Sequence, residues 1–316
     1  MEAGLNLSQL AKYFSDEDAA RALLEEMRWG TSGAVCPHRG GVDPYKLTPK
    51  ATSKAPGRKG LYKCKACRKQ FTVTVGTVFE DSRIPISKWL LAIHLIASSK
   101  KGMSAHQIHR NLGISYKAAW FMMHRLRYAM SVEPMASSKL RGVVEVDELA
   151  MGGKRKAGKG RVPSQTRKAI SVVALVERGS GRVKAFTMPR VTADNLSEAI
   201  KANVHPNARV VTDEYPVYKT LGLSDHHTVN HKSGEYVRGE IYSNTAEGFF
   251  SLLKRGIVGT FHHIGTEHLQ RYCDEFAFRY SARKVDDATR AEMIYRGSEG
   301  KRLTYKQPAR ASEGLA

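Results

Sequence analysis

Apolar positions along the chain change their period several times, and the changes mark out its elements. Residues 8–28 repeat with helical spacing, and "SDEDAARALLEEMRW" offers Ser15 as an N-cap with acids in the first turn, where the helix dipole favours them. "GTSGAVCPHRGG" then breaks the helix. "LYKCKACRKQFTVTVGTVFE" is a turn with two cysteines leading into alternating, strand-like positions. After Pro85 the spacing is helical again. "ISKWLLAIHLIASSKKG", "SAHQIHRNLG" and "SYKAAWFMMHRLRYAM" predict three helices, the last two joined by "LGIS" and capped by Ser104 and Ser115.

A polar linker covers 131–141. Beyond it the pattern predicts a strand over 143–148, a loop over 152–168, strands over 169–177 and 183–188, and a helix over 193–203. A strand over 208–213, another near "HHTVNH" and a helix over 245–256 complete the order. Hairpin strands followed by strand–helix alternation indicate an α/β fold with a mixed sheet. The expected division is an N-terminal helix (1–30), a small β segment (31–83), a helical segment (84–131), the α/β domain (140–290) and a polar tail (291–316).

Composition adds two constraints. A 316-residue chain with 41% hydrophobic residues can bury a substantial core. No apolar run reaches the length of a membrane span, and "MEAGLNLSQLAKYFSDEDAA" lacks a signal-peptide core, so a cytoplasmic, nucleoid-associated protein with no membrane partner is expected. The net charge of +21 asks for a polyanionic partner, of which nucleic acid is the commonest.

The basic residues are clustered. Pro44–Lys69 holds no acid, and neither does "GGKRKAGKGRVPSQTRK", whose Lys154, Arg155 and Lys156 are candidate DNA contacts. The two short helices resemble a helix-turn-helix, the second carrying Lys117, Arg125 and Arg127 for DNA. Its other reading is a packing subdomain with Trp120, Phe121, Met122 and Met123 in the core.

Cys36-Pro-His38 and Cys64-x-x-Cys67 resemble the two ligand turns of a zinc ribbon. Arg39 stands where a second cysteine of the first turn belongs. Either His38 completes a site of Cys36, His38, Cys64 and Cys67 around Zn²⁺, or the ribbon holds no metal and relies on packing. Cys273, in a helical run, is read as core.

In "VVEVDE", valines alternate with acids until Asp147. A second apolar strand, Val210-Val211, reaches Asp213, and Glu247 lies near the start of "NTAEGFFSLLKRGIVG" with Ser251 and Lys254 on its side of the helix. Ligand and catalytic groups gather at the carboxyl ends of strands in open α/β sheets. Gathered carboxylates repel unless a cation intervenes, and hard oxygen donors suit Mg²⁺ or Mn²⁺, two ions of which can promote phosphoryl transfer. Glu145, Glu148 and Glu214 are the alternatives should one acid be misassigned.

These features, and above all "VNHKSGEYVRGEIYSNTAEGFFSLLKRGIVGTFHHIGTEHLQRYCDEFAFRYSAR" at 229–283, resemble the DDE transposases of insertion-sequence family fifteen-ninety-five. The resemblance implies an RNase H-like catalytic domain behind a zinc ribbon and a helical DNA-binding segment. It implies that Asp147, Asp213 and Glu247 hold the metals, with Lys254 as the accompanying base. Double-stranded DNA, as terminal inverted repeats and as target, would be the partner, and the chain would work as a homo-oligomer that cuts and joins strands. A catalytically silent, domesticated DNA-binding protein and a structure-selective nuclease remain open on the same residues.

Overall fold

In the computed structural model, residues 7–48, 59–131, 138–151, 170–213, 216–229 and 244–305 are described, and they form two units. The first begins with α1 (Leu7–Ser15) and α2 (Glu17–Trp29). One helix was expected here. Asp16 breaks it, in extended conformation, with its carboxylate accepting the Asp18 N–H at 2.9 Å. Ser15 is therefore the last residue of α1 and not a cap. Its hydroxyl turns back to the Ala11 carbonyl at 3.2 Å.

Three short antiparallel strands follow, β1 (Tyr45–Leu47), β2 (Leu61–Lys63) and β3 (Gln70–Phe71), in the order β1-β2-β3. Their core is aromatic: Trp29 meets Tyr62 edge-on at 5.2 Å, and Tyr62 stacks on Phe71 at 5.7 Å. The helical part contains α3 (Ile86–Ser98), α4 (Ala105–Leu112) and α5 (Tyr116–Met130). The Glu17 carboxylate receives the N–H groups of Ile86 and Ser87 at the start of α3. Ser104 and Ser115 cap α4 and α5 as expected, and Gly113 ends α4 at a left-handed φ of 57°.

The second unit holds β4 (Val143–Met151), β5 (Ile170–Glu177), β6 (Val183–Met188), α6 (Ala193–Asn203), β7 (Arg209–Thr212), β8 (His226–Thr228), α7 (Asn244–Gly256) and α8 (Leu269–Ser281). Its sheet runs β6-β5-β4-β7-β8. The first three strands are antiparallel, while β4–β7 and β7–β8 are parallel. This mixed order is that of an RNase H-like fold.

β4 is longer than the sequence pattern indicates because β5 pairs with it as far as Met151↔Ile170. Asp147 thus lies inside a strand rather than near its end. Both faces of the sheet are covered. Val172, Ala174 and Val176 pack against Phe249, Leu253 and Phe276 of α7 and α8, and Val144, Val146 and Leu175 pack against Leu196 and Ile200 of α6. After α7 the backbone widens into a π turn, Ile257–Phe261, and closes at His262 with φ 59°.

The chain then returns to the first unit. α9 (Asp287–Arg296) is capped by Asp286, which accepts the N–H groups of Ala288 and Thr289. The expected polar tail begins inside α9, and its early part is not loose: Ile294, Tyr295, Ser298 and Leu303 are buried. The Tyr295 hydroxyl donates to the Leu24 carbonyl at 3.0 Å, and Lys301 donates to that of Tyr128 at 2.6 Å. The buried positions come at most two together among charged and polar residues, so no long apolar run announces them. Among the described residues, no helix is long and apolar enough to cross a membrane.

Candidate active site and thiol cluster

Asp147 and Asp213 are brought side by side by strand register. The parallel ladder pairs Val143↔Arg209, Val144↔Val210 and Glu145↔Val211, and each aspartate lies two residues beyond the last pair. Cross-strand partners share a face, so Asp147, opposite Ala174, points to the side covered by α7. There Ala246, Phe249 and Leu253 anchor α7, leaving Glu247 exposed in its first turn and Lys254 exposed two turns on.

The electrostatics tie these groups together. Burial raises the Asp147 carboxyl to about 7, against the Glu148 N–H that it accepts at 2.7 Å; repulsion from Glu148, Asp213 and Glu247 adds to the rise. Glu148 is also raised by burial, despite the Tyr218 hydroxyl that donates to it. Tyr218 itself is fully buried, and burial beside Glu148 holds its hydroxyl far above the usual range. Asp213 follows Thr212, whose hydroxyl donates to the Asp213 carbonyl at 2.9 Å. The acids share a field, yet their oxygens are not as tightly gathered as the thiols described below. Hard carboxylate oxygens converging from two parallel strands and a helix are a donor set that fits a divalent ion.

Glu145, which the sequence offers only as an alternative ligand, has a larger part. It is completely buried; one oxygen pairs with Arg178 at 2.8 Å, and the other accepts the Thr245 and Ala246 N–H groups at 2.8 and 2.9 Å. It fastens the start of α7, two residues before Glu247, to the strand that carries Asp147. The signal available was a glutamate inside an apolar strand run. Glu214 lies outside the described residues.

In the first unit, the sulfurs of Cys36, Cys64 and Cys67 all lie within 4.8 Å of one another, the one such group of metal-ligating side chains among the described residues. Cys36 and Cys67 are 3.7 Å apart. The Cys67 N–H holds the Cys64 thiol down at about 7 against burial, and the other two thiols help. His38 does not join them. It is exposed and faces a cavity lined by Arg28, Glu80 and Lys301, which corrects the expected fourth ligand. Three thiolates fit a soft ion such as zinc. Cys273 is core, as expected.

The expected DNA contacts divide three ways. Lys117 is exposed at the start of α5, with its ammonium 4.7 Å from the Tyr305 ring centre. Arg125 and Arg127 are buried, which overturns their assignment to a DNA surface. Arg125 donates to the Glu80 carbonyl at 2.9 Å and lies over the Phe121 ring, so its charge is spent inside the unit. Lys154, Arg155 and Lys156 fall outside the described residues.

An RNase H-like sheet with acids at adjacent strands, in a chain that also carries a thiol ribbon, is the arrangement expected of a DDE transposase, and comparison with known proteins points the same way. The family described as the ISXO2-like transposase domain matches residues 139–281, and the transposase zinc-ribbon domain matches 15–70. Over these two stretches the chain carries the domains of insertion-sequence transposases. A relative, an uncharacterised protein in the transposable element ISH50 of Halobacterium salinarum, is 26% identical over 85% of this chain and 92% of its own length. Solved structures give weaker likenesses. A simian T-cell lymphotropic virus intasome bound to a PP2A regulatory subunit is 14% identical, over 60% of this chain and 64% of its own, with a TM-score of 0.30. The Mos1 transposase paired-end complex is 12% identical, over 66% and 74%, with a TM-score of 0.26. The fold assignment stands on the strand order, not on these scores.

Proposed function

We propose that this transposase binds the ends of its element and catalyses divalent-metal-dependent cleavage and joining of DNA strands, with Asp147, Asp213 and Glu247 as the metal-binding acids. The observation that carries the reading is Asp147: a half-buried carboxyl, beside Asp213 by register and within the field of Glu247, in a domain of this family. Bound Mg²⁺ or Mn²⁺, as one or two ions, would activate the attacking oxygen and stabilise the leaving one on a phosphodiester. The chain's own part is to hold the acids. β4 and β7 set the two aspartates in register, Glu145 fixes the start of α7, and α7 aims Glu247.

Lys254 is exposed on the same helix as Glu247 and would meet a DNA phosphate rather than take part in bond making. The net charge of +21 supplies the general attraction to DNA, and Lys117 at the exposed start of α5 is the helix-turn-helix contact that survives burial. Zn²⁺ in the thiol cluster would hold the ribbon together. Two ends must be processed together, so an oligomer on DNA is the working form.

The test uses a DNA end taken from the flanks of its own gene, with Mg²⁺, comparing wild type and Asp213→Asn while binding is followed in parallel. Nicking and joining by wild type alone, with equal binding by both proteins, is the expected outcome. Tight binding with no strand cleavage by either would leave a silent DNA-binding protein.

A further inference from the structure

The two ligand turns of the ribbon are built alike. In the first, Gly40 N–H donates to the Cys36 carbonyl at 2.8 Å and Cys36 N–H to the Gly41 carbonyl at 2.9 Å. In the second, Arg68 N–H donates to the Cys64 carbonyl at 3.1 Å and Cys64 N–H to the Lys69 carbonyl at 3.0 Å. Gly40 and Arg68 both take left-handed φ values, 66° and 61°. Matching the turns bond for bond sets Cys36 against Cys64 and Arg39 against Cys67. Three of the four ligand positions thus carry a thiol. The fourth carries a guanidinium, which has no lone pair to give.

No other side chain of the ribbon replaces the missing ligand. His38 is exposed and outside the thiol group, Asp43 pairs with Lys65, and Asp81 pairs with Arg302. Glu80 accepts the Gly76 N–H at 2.7 Å. The stretch 49–58, "PKATSKAPGR", holds no Cys, His, Asp or Glu at all. Gly41 approaches closely, since a Cβ there would lie 3.3 Å from the Cys64 sulfur, but it offers no side chain.

We infer that the ribbon holds its zinc through Cys36, Cys64 and Cys67 alone and leaves the fourth position to an exchangeable small ligand from solution. The inference rests on reading the thiol cluster as a zinc site. Structural zinc sites are closed by four protein ligands, whereas a site with three keeps a position for water or another donor. Three thiolates outweigh the charge of Zn²⁺, so a neutral donor such as water or an imidazole suits the open position better than an anion. The thiolates remain Cys36, Cys64 and Cys67 whatever occupies it.

The test is made on the full chain with Co²⁺ exchanged for zinc, since the d–d and sulfur-to-cobalt bands report the ligand set without any assay of activity. Imidazole is then added. Wild type should show a saturable band shift with one imidazole per cobalt. Arg39→Cys should show stronger sulfur-to-cobalt absorption and no response to imidazole, and Arg39→Ser should behave as wild type. Zinc loss to a chelator should slow by roughly tenfold or more in Arg39→Cys, since even outer partners of a metal ligand change affinity on that scale. Wild-type bands that ignore imidazole but change in His38→Ala would mean that His38 closes the site, which overturns the inference. Cobalt uptake by Arg39→Cys but not wild type would show that three thiolates are insufficient, and would overturn it equally. No uptake by either protein would instead remove the zinc reading itself.

Discussion

A carboxylate cut off from water must be fully partnered, and Glu145 is, by Arg178 and by two N–H groups at the start of α7. Removing one partner of such a pair costs about 3–5 kcal/mol, so Glu145→Ala should lower the melting temperature sharply. Because the start of α7 would shift with it, strand cleavage by the folded fraction should fall on the order of a hundredfold, the cost of a misplacement of about 1 Å. Glu145→Gln keeps an acceptor for the α7 N–H groups and should do better on both measures; equal loss would argue against a positioning role. Asp147 gives a pH signature. Its carboxyl titrates at about 7 in the fold but near ~4 unfolded, so its stability contribution is complete below about pH 4 and is lost as pH climbs through 7. Metal-free wild type should therefore lose melting temperature between about pH 5 and about pH 8 more steeply than Asp147→Asn, and Mg²⁺ should restore it. Parallel slopes would contradict this. Asp147, Asp213 and Glu247 can be picked out in the sequence because acids interrupt apolar strands or sit polar-side on an apolar helix. The role of Glu145 cannot, because sequence does not show that both faces of β4 are covered.

At the scale of elements, the join of α7 to α8 is the tightest packing at any described glycine of the second unit. A Cβ on Gly256 would stand 2.0 Å from the Phe276 ring, so alanine must push the ring or the helix. Helix propensity favours alanine by about 1 kcal/mol, whereas forcing volume into a packed core costs about 1–3 kcal/mol. Packing should win, and Gly256→Ala should melt lower than wild type. Gly259→Ala, in the π turn with nothing within 4 Å of the new methyl, is the control and should change little. Most elements of this unit are readable from period alone, with α6 matching its expected span at 193–203. The departures have local causes. Asp16 bonds to the backbone and splits a continuous helical pattern, and β5 holds β4 as a strand past the point where its alternation stops. Arg125 and Arg127 carry charges that suggest a surface, yet both are buried, and Arg125 donates to the Glu80 carbonyl. Charge in a helix names a partner only when burial is known.

At the scale of the molecule, the first unit is discontinuous. It comprises Met1–Met130 and Val285–Pro308, with Ser131–Lys284 of the second unit between them. The returning segment fills its core: Tyr295 stacks on Phe79 at 6.0 Å and bonds to Leu24, and Arg290 donates to the Ala97 carbonyl at 2.6 Å. A chain cut after Lys284 should therefore lose helical protection from hydrogen exchange in α3 and α5 while the sheet of the second unit stays protected. Loss in both units together would show that they are not separate cooperative bodies, and loss in neither that the returning segment does not complete the first. The sequence leaves this arrangement unseen because its last segment looks like polar surface.

The same discontinuity orders events on the ribosome. Residues 131–284 leave the exit tunnel as an uninterrupted sequence and can fold as they appear. The first unit, made earlier, waits with part of its core unfilled until Tyr295 and Leu303 have left the tunnel. A nascent chain halted once residues 131–284 have emerged thus presents a folded sheet joined to a unit whose core is still open, and that unit waits on the segment that follows the sheet.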